Sequence, residues 1–279
     1  MIRLAEPDYD YNQALTKCID GISKNQELNT KLCSSKDTLL TRALSYVTAG
    51  KKGQLYTIPP IINDNNEDCV ILNDLKKSDL IKLYKQYLVR KQPGRTIYDA
   101  LLSAANEKCP FCGGIGRPMN LDHFLPKAHF PLFSVLPKNL IPSCRDCNTG
   151  NKGERYATEA ENQIIQPYLD DEKFFSTQWI FATYKQTDKE PSIIEYFVKP
   201  PNNWSNIDKE RVDNHFKVFD LRKRYSIQAA DELIFAEQII KNLLDKNISA
   251  KEILHSNSST YFINHWKKIM YQALIDKFC

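Results

Sequence analysis

Apolar residues recur at the three- and four-residue spacing of an amphipathic helix through both ends of the chain. In the N-terminal part this spacing predicts helices around residues 11–22, 39–44, 80–88 and 97–105. From Asp208 onward the same spacing returns and continues almost to the last residue. We therefore predict helical N- and C-terminal regions.

Two other segments are rich in aromatic and β-branched residues, a composition typical of strands. They are residues 175–184 and 192–198, and the turn-prone residues 187–191 lie at their junction. This arrangement predicts a β-hairpin. Residues 53–60 are predicted to form a short extended piece, and residues 120–126 a strand.

The length and net charge of the chain exclude few classes of function. The chain has 279 residues and a formal net charge of +4, which permits a nucleic-acid partner without demanding one. It lacks the apolar run of a signal peptide, and no apolar stretch approaches the roughly 20 residues needed to span a bilayer. We expect a cytoplasmic protein without membrane contact.

Four of the eight cysteines form two Cys-x-x-Cys pairs, Cys109 with Cys112 and Cys144 with Cys147. In a reducing cytosol such pairs favour metal over disulfides, and four thiolates at this spacing suit a closed, tetrahedral zinc site. The alternative, four cysteines that are merely buried, does not account for two intact pairs. We predict a structural Zn²⁺ that orders the segment between them.

An acid and a base stand side by side between the two pairs, as Asp122 and His123. Adjacent residues of a strand point to opposite faces, so one of them is expected to bind a metal while the other acts as a base. Asn148 can add a neutral oxygen ligand, and Lys152 can contact a phosphate. This division of labour suits metal-assisted hydrolysis of a phosphodiester.

Several elements in this order closely resemble the HNH endonuclease superfamily, the zinc-stapled branch of the ββα-metal fold. The resemblance covers roughly residues 109–152. It rests on Cys109-Pro-Phe-Cys112, Asp122-His123-Phe-Leu-Pro126, Asn139-Leu140-Ile-Pro-Ser-Cys144, Cys144-Arg-Asp-Cys147-Asn148 and Lys152. The Pro- and Phe-rich loop of residues 127–138 departs from the Gly-rich loop of that pattern.

The resemblance implies a role for each central residue. His123 is the general base, and Asp122 and Asn148 hold a catalytic Mg²⁺ or Mn²⁺. Asn139 fixes the loop between the strands and orients the base.

Three basic residues near these motifs are candidate phosphate contacts. They are Lys127, Arg145 and Lys152, and for the first two a merely solvated side chain is an equal alternative. The basic run at residues 222–224 favours a solvated helix end over a nucleic-acid contact.

A more diffuse resemblance extends to the flanks. The segment 121–127, with Phe130-Pro131, Pro142-Ser143-Cys144 and the later segments 211–216 and 223–225, is similar to HNH nucleases of Septu-type and retron-associated anti-phage defence. That resemblance implies an ABC/RecF-like ATPase partner, with the helical flanks as docking surfaces.

The overall prediction is an α+β protein: helical flanks around a zinc-stapled ββα-metal module, with an added β-hairpin. We predict a helical region at residues 1–106, the nuclease module at 107–160, and the hairpin with the C-terminal helices at 161–279.

Three functions fit these observations. The first is a metal-dependent endonuclease, with DNA favoured over RNA as substrate. The second is a zinc-stabilised nucleic-acid-binding or scaffold subunit without its own catalysis. The third is a regulatory subunit that becomes active when an ATPase partner releases it.

Overall fold

The computed structural model describes residues 1–62, 68–186 and 191–279. About half of the chain is helical, and the strands in these ranges form three antiparallel pairs. The helices are α1 (Tyr11–Asp20), α2 (Gln26–Lys51), α3 (Lys77–Lys82), α4 (Gly94–Ser103), α5 (Lys173–Ser176), α6 (Asn206–Val218), α7 (Leu221–Leu244), α8 (Lys251–Ser259) and α9 (Trp266–Phe278). The strands are β1 (Val70–Leu72), β2 (Leu75–Lys76), β3 (Asn120–His123), β4 (Leu140–Ser143), β5 (Ile180–Lys185) and β6 (Ile193–Val198). The protein is therefore α+β.

The first two helices begin at polar caps. The Asp10 carboxylate accepts a hydrogen bond from the Gln13 amide at 2.8 Å, and the Gln13 side chain accepts one from the Asp10 amide at 2.9 Å. This reciprocal capping box satisfies amide groups that have no partner within the helix. Asn25 caps α2 through the Leu28 amide.

The apolar face of α2 is narrower than its sequence suggests. Leu39 and Ala43 are buried as predicted, but Leu44 is 69% exposed. Successive helical residues differ by about 100° in direction, so Leu44 falls outside the stripe that Leu39 and Ala43 share. The apolar spacing at residues 39–44 suggests one shared helical face, and Leu44 does not share it.

Two other local predictions need correction. Residues 53–60 do not form an extended piece, because Leu55–Thr57 is a 3₁₀ turn whose first residue is fully buried. Phe175 does not begin a strand, because it lies in α5 and the strand starts at Ile180. The predicted turn at residues 187–191 falls mostly on 187–190, which lie outside the described residues. On either side of it, β5 and β6 pair in antiparallel register.

The central pair of strands is short. β3 and β4 are antiparallel, with Asp122 opposite Ile141 and His123 opposite Leu140. The strand predicted at residues 120–126 ends at His123. Two 3₁₀ turns, Pro131–Phe133 and Pro137–Asn139, carry the connecting loop back to β4.

Two helical segments have the wide turns of a π-helix. Leu83–Leu88 continues from α3, and Asp146–Lys152 follows β4. The second of these turns carries Asn148 and Lys152. The order of the central region is therefore two antiparallel strands followed by a short helical segment.

Helices from the two ends of the chain pack on different strand pairs. α4 packs on β3 and β4, while α7 and α9 pack on the hairpin of β5 and β6. One set of buried apolar side chains runs through all of these elements. Across the described ranges, none of the helices combines the length and apolar character that a membrane crossing requires.

Candidate metal centre and active site

The four paired cysteines converge on one point. All four are buried, and their sulfur atoms lie within 4.8 Å of one another. The Sγ atoms of Cys112 and Cys144 are 4.0 Å apart, close to the edge of about 3.8 Å that a tetrahedron with Zn–S bonds of about 2.3 Å requires. The geometry and the chemistry of the donors both fit a zinc ion.

Glycines shape the first cysteine turn around this cluster. Gly113 and Gly114 have φ of 64° and 90°, a backbone conformation that favours glycine. The Gly116 amide donates to the sulfur of Cys112 at 3.3 Å. A Cβ atom on Gly116 would lie 2.4 Å from the sulfur of Cys144, so the chain passes against the cluster where no side chain fits.

Helix α7 closes the outer side of the cluster with an arginine. Arg224 donates through Nη1 to the sulfur of Cys147 at 3.3 Å, and its Nη2 lies 3.8 Å from the sulfur of Cys144. Burial by itself lowers the pKa of Arg224, but the sulfur of Cys147 beside it outweighs this effect and raises the pKa. A guanidinium here offsets part of the negative charge of four thiolates. Nothing in the sequence of the basic run at residues 222–224 predicts this contact. Arg224 is therefore not the solvated side chain that was expected there.

Asp122 forms a buried ion pair with Lys152. Both residues are at most 5% exposed, and Nζ of Lys152 lies 3.2 Å from Oδ2 of Asp122. Burial raises the pKa of Asp122, and the positive charge of Lys152 opposes that shift. Among the described residues Oδ2 finds no hydrogen-bond donor in good geometry. An acidic oxygen of this kind is a suitable ligand for a divalent cation.

The position of Lys152 differs from the predicted one. Its ammonium group is 2.7 Å from the backbone carbonyl oxygen of His123, to which it donates, and it does not face solvent. In this conformation Lys152 holds the end of β3, and its phosphate contact stays a prediction.

Replacing Lys152 with alanine is expected to lower the free energy of unfolding by about 3–5 kcal/mol, because the change leaves a buried carboxylate without its cation. A lysine that contacted phosphate would instead affect nucleic-acid affinity and its salt dependence. Denaturant unfolding and binding titrations at two salt concentrations separate the two roles. Arg145→Ala is the matched control, since Arg145 is exposed. Unchanged stability in Lys152→Ala would contradict the buried role.

His123 is held in one orientation. Its Nε2 atom is 2.9 Å from the carbonyl oxygen of Ser134, which can only accept, so Nε2 carries the proton. Burial lowers the pKa of His123 to about 3, and the imidazole is therefore neutral near pH 7. Its ring meets the Tyr84 ring edge-on at 4.4 Å. The lone pair of Nδ1 is thus the basic site of this side chain.

Asn139 ties together the loop between the two strands. Its Oδ1 atom accepts from the Leu125 amide at 2.8 Å and from the Tyr46 hydroxyl at 2.9 Å. Its Nδ2 atom donates to the carbonyls of Leu125 and Phe133 at 3.1 Å. Asn139 is completely buried. Four bonds from one amide therefore fix both ends of the loop that carries Ser134, the partner of His123.

Asn148 lies along the Asp122 side of β3. Its Nδ2 atom donates to Oδ1 of Asn120 at 2.7 Å. Asn120 and Asp122 are two residues apart on the strand and so share one face, opposite that of His123. Because this hydrogen bond uses the side-chain nitrogen, the carbonyl oxygen of Asn148 is the side-chain atom that can bind a cation.

The two other candidate phosphate contacts lie outside the buried group. Arg145 is exposed just before the second π-helical turn. Lys127 is partly buried, with its ammonium 5.5 Å from the centre of the Tyr84 ring, and burial followed by the charge of Lys85 lowers its pKa. Lys127 is thus placed next to the ring that contacts His123.

Comparison with known proteins gives two relatives. The chain is 36% identical over 290 residues to protein ea31 of Escherichia phage lambda, covering 98% of this chain and 97% of that protein. It is also 39% identical over 75 residues to the Septu protein PtuB of Bacillus thuringiensis, which covers 25% of this chain and 28% of that protein. No protein-family model matches the chain. No solved structure matches it either.

Proposed function

We propose that this chain, which belongs to the family of protein ea31 of Escherichia phage lambda, is a metal-dependent endonuclease of HNH type that hydrolyses phosphodiester bonds. The proposal rests on the geometry of the chain's own residues. The observation that carries the proposal is the neutral, oriented His123. Its Nε2–H is committed to the Ser134 carbonyl, and Nδ1 remains as a proton acceptor. A general base needs this combination of fixed tautomer and available lone pair.

The residues around Asp122 suit a hard divalent cation. Oδ2 of Asp122, which lies 3.2 Å from the ammonium of Lys152 without a hydrogen bond in good geometry, and the carbonyl oxygen of Asn148 would hold Mg²⁺ or Mn²⁺. Such an ion neutralises charge that develops on the phosphate and on the leaving oxygen.

The protein's own part in the reaction is proton transfer and positioning. Nδ1 of His123 takes the proton of the attacking water, and the Ser134 carbonyl stabilises the imidazolium that forms. Asn139 keeps the Ser134 loop in place, so the ring does not have to reorient during the step. Arg145 and Lys127 bind phosphates on either side of the cleaved bond.

The zinc-bound cysteines have a structural part in this proposal. Four sulfurs leave no open coordination position, so the zinc ion orders the module without touching substrate. Two antiparallel strands followed by a helical turn, next to this cluster, support the resemblance to the ββα-metal fold.

The biological setting follows from the partial similarity to the Septu protein. This similarity supports an anti-phage role. We further propose that the nuclease acts in the cytoplasm with an ABC/RecF-like ATPase. In that setting the helical flanks are the surfaces that contact the ATPase. DNA is the favoured substrate.

The Lys152–Asp122 ion pair favours a second candidate. If the carboxylate keeps this cationic partner, the protein is a zinc-stabilised nucleic-acid-binding or scaffold subunit without catalysis. The two candidates differ in whether added divalent ions produce cleavage.

The purified protein is expected to cut nucleic acid only when a divalent ion is added. Supercoiled plasmid, single-stranded DNA and total RNA are each incubated with Mg²⁺, with Mn²⁺ or with neither ion, alone and with a co-expressed ATPase from the host genome. Cleavage that requires the ion and stops in Asp122→Asn supports the nuclease. Binding without cleavage under every condition would favour the scaffold.

A further inference from the structure

A cavity of about 310 Å³ opens next to the candidate active site. Its walls are mainly apolar and aromatic, with Leu55, Phe124 and Ile164 beside the rings of Tyr56 and Tyr156. The volume lies at the lower end of the range found for small-ligand pockets. A flat, mostly apolar group of modest size fits such a space.

The cavity and the proposed catalytic base share neighbours. Phe124, a lining residue, directly follows His123 in the chain. Lys152, another lining residue, donates to the backbone carbonyl oxygen of His123. The cavity therefore borders the segment that carries His123.

One buried donor in the cavity wall lacks a partner. Gln163 is 2% exposed, and its Oε1 atom accepts from the Tyr56 amide at 2.9 Å. That bond fixes the plane of the side-chain amide. Its Nε2 atom is buried and forms no hydrogen bond to the described residues. An unsatisfied buried donor is unfavourable and uncommon unless a ligand or water completes it.

The charges and rings at the cavity also point to a nucleotide. Of the charged lining residues that the structure describes, Lys152 is paired with Asp122, whereas the cation Arg155 is exposed at the surface. Tyr156 is braced by the rings of His129 and Phe130, each at 5.0 Å. A held tyrosine ring is a good stacking partner for a base.

We propose that this cavity receives one unpaired nucleobase of the substrate strand, stacked on the tyrosines and accepting a hydrogen bond from Gln163. The inference rests on the proposed nuclease function, since it places that base beside the cleaved phosphodiester. It assigns the protein a substrate with at least one base out of the duplex, either single-stranded or flipped.

Binding of trinucleotides tests the inference without requiring cleavage. One trinucleotide carries a normal central base, and the other has an abasic central sugar; both are titrated into the full chain without added divalent ions. The wild-type protein is expected to bind the base-bearing form about tenfold more tightly, the effect of one stacked base. Ala157→Phe, which fills the cavity, is expected to bind both forms equally.

Two further variants make the result specific. Ala230→Phe introduces the same ring at an exposed position of α7 and should keep the tenfold preference. Gln163→Glu keeps the acceptor for the Tyr56 amide, replaces the free donor and should reduce the preference. Thermal unfolding confirms that each variant is folded.

The outcomes separate this inference from the nuclease assignment. Equal binding of the two trinucleotides by the wild-type protein overturns the base pocket, whether or not the protein cleaves DNA. Free nucleoside monophosphates that bind as tightly as the trinucleotide also overturn it, because the cavity would then serve a small molecule. If the protein prefers the base-bearing trinucleotide but never cleaves nucleic acid, the nuclease assignment is wrong and the base pocket is retained.

Discussion

His123→Ala is expected to reduce metal-dependent cleavage by at least about a hundredfold, the usual contribution of a general base. The zinc content and the fold should persist, because the cysteine cluster does not involve this side chain. The loss arises because the variant lacks Nδ1, the nitrogen that the hydrogen bond of Nε2 to the Ser134 carbonyl leaves as a proton acceptor. Cleavage rates on plasmid and on single-stranded DNA, with metal analysis of the same samples, measure both outcomes.

The control for this variant is His255→Ala. His255 is exposed on α8, far along the chain from the central strands, so its removal should leave the cleavage rate unchanged. Equal cleavage by His123→Ala and the wild-type protein, at matched purity, would exclude His123 as the base.

Cys112→Ser and Cys144→Ser are expected to lower both zinc content and thermal stability strongly. Structural zinc contributes on the order of 10 kcal/mol to the folding of small modules, because the site forms only when the chain folds. The cluster also anchors neighbouring elements, through the Tyr225 hydroxyl on the Cys112 carbonyl and through Arg224 on two sulfurs. Metal quantification and thermal unfolding report the effect, and retention of both quantities would refute the zinc clamp.

A glycine pair tests the clamp without removing a sulfur. Gly116→Ala would place a methyl group 2.4 Å from the sulfur of Cys144, so the turn must move and zinc affinity should fall. Gly150→Ala is the matched control, since a Cβ atom there has no neighbour within 4 Å. The ratio of zinc affinities from chelator competition compares the two directly.

The regular elements were predictable where their pattern is local and repeated. Helical spacing predicted α1 and the C-terminal helices, and strand composition predicted the pair β5–β6. The turns at 83–88 and 146–152 were not predictable, because a π-helical turn has nearly the same apolar spacing as an α-helix. The exposure of Leu44 was not predictable, because the width of a buried stripe depends on the neighbouring helices.

The candidate site also contains residues that the sequence predicts and residues that it does not. Paired cysteines and the Asp-His pair stand close together in sequence, so their chemistry can be inferred from spacing. Lys152 and Arg224 differ, since their partners lie 30 and 77 residues away along the chain. Only the tertiary fold determines that Lys152 is a buried cation and that Arg224 donates hydrogen bonds to cysteine sulfurs.

Transplanting residues 107–160 into another protein would also require a residue of helix α2. Residues 107–160 contain every atom of the Asn139 side-chain bonds except one, the Tyr46 hydroxyl supplied by α2 from 93 residues upstream. A graft limited to that segment leaves a buried oxygen with one partner fewer, a loss of about 1–3 kcal/mol at the loop that holds His123. The smallest segment that could carry the candidate site into another protein therefore includes helix α2, which contributes no residue to the sequence motif.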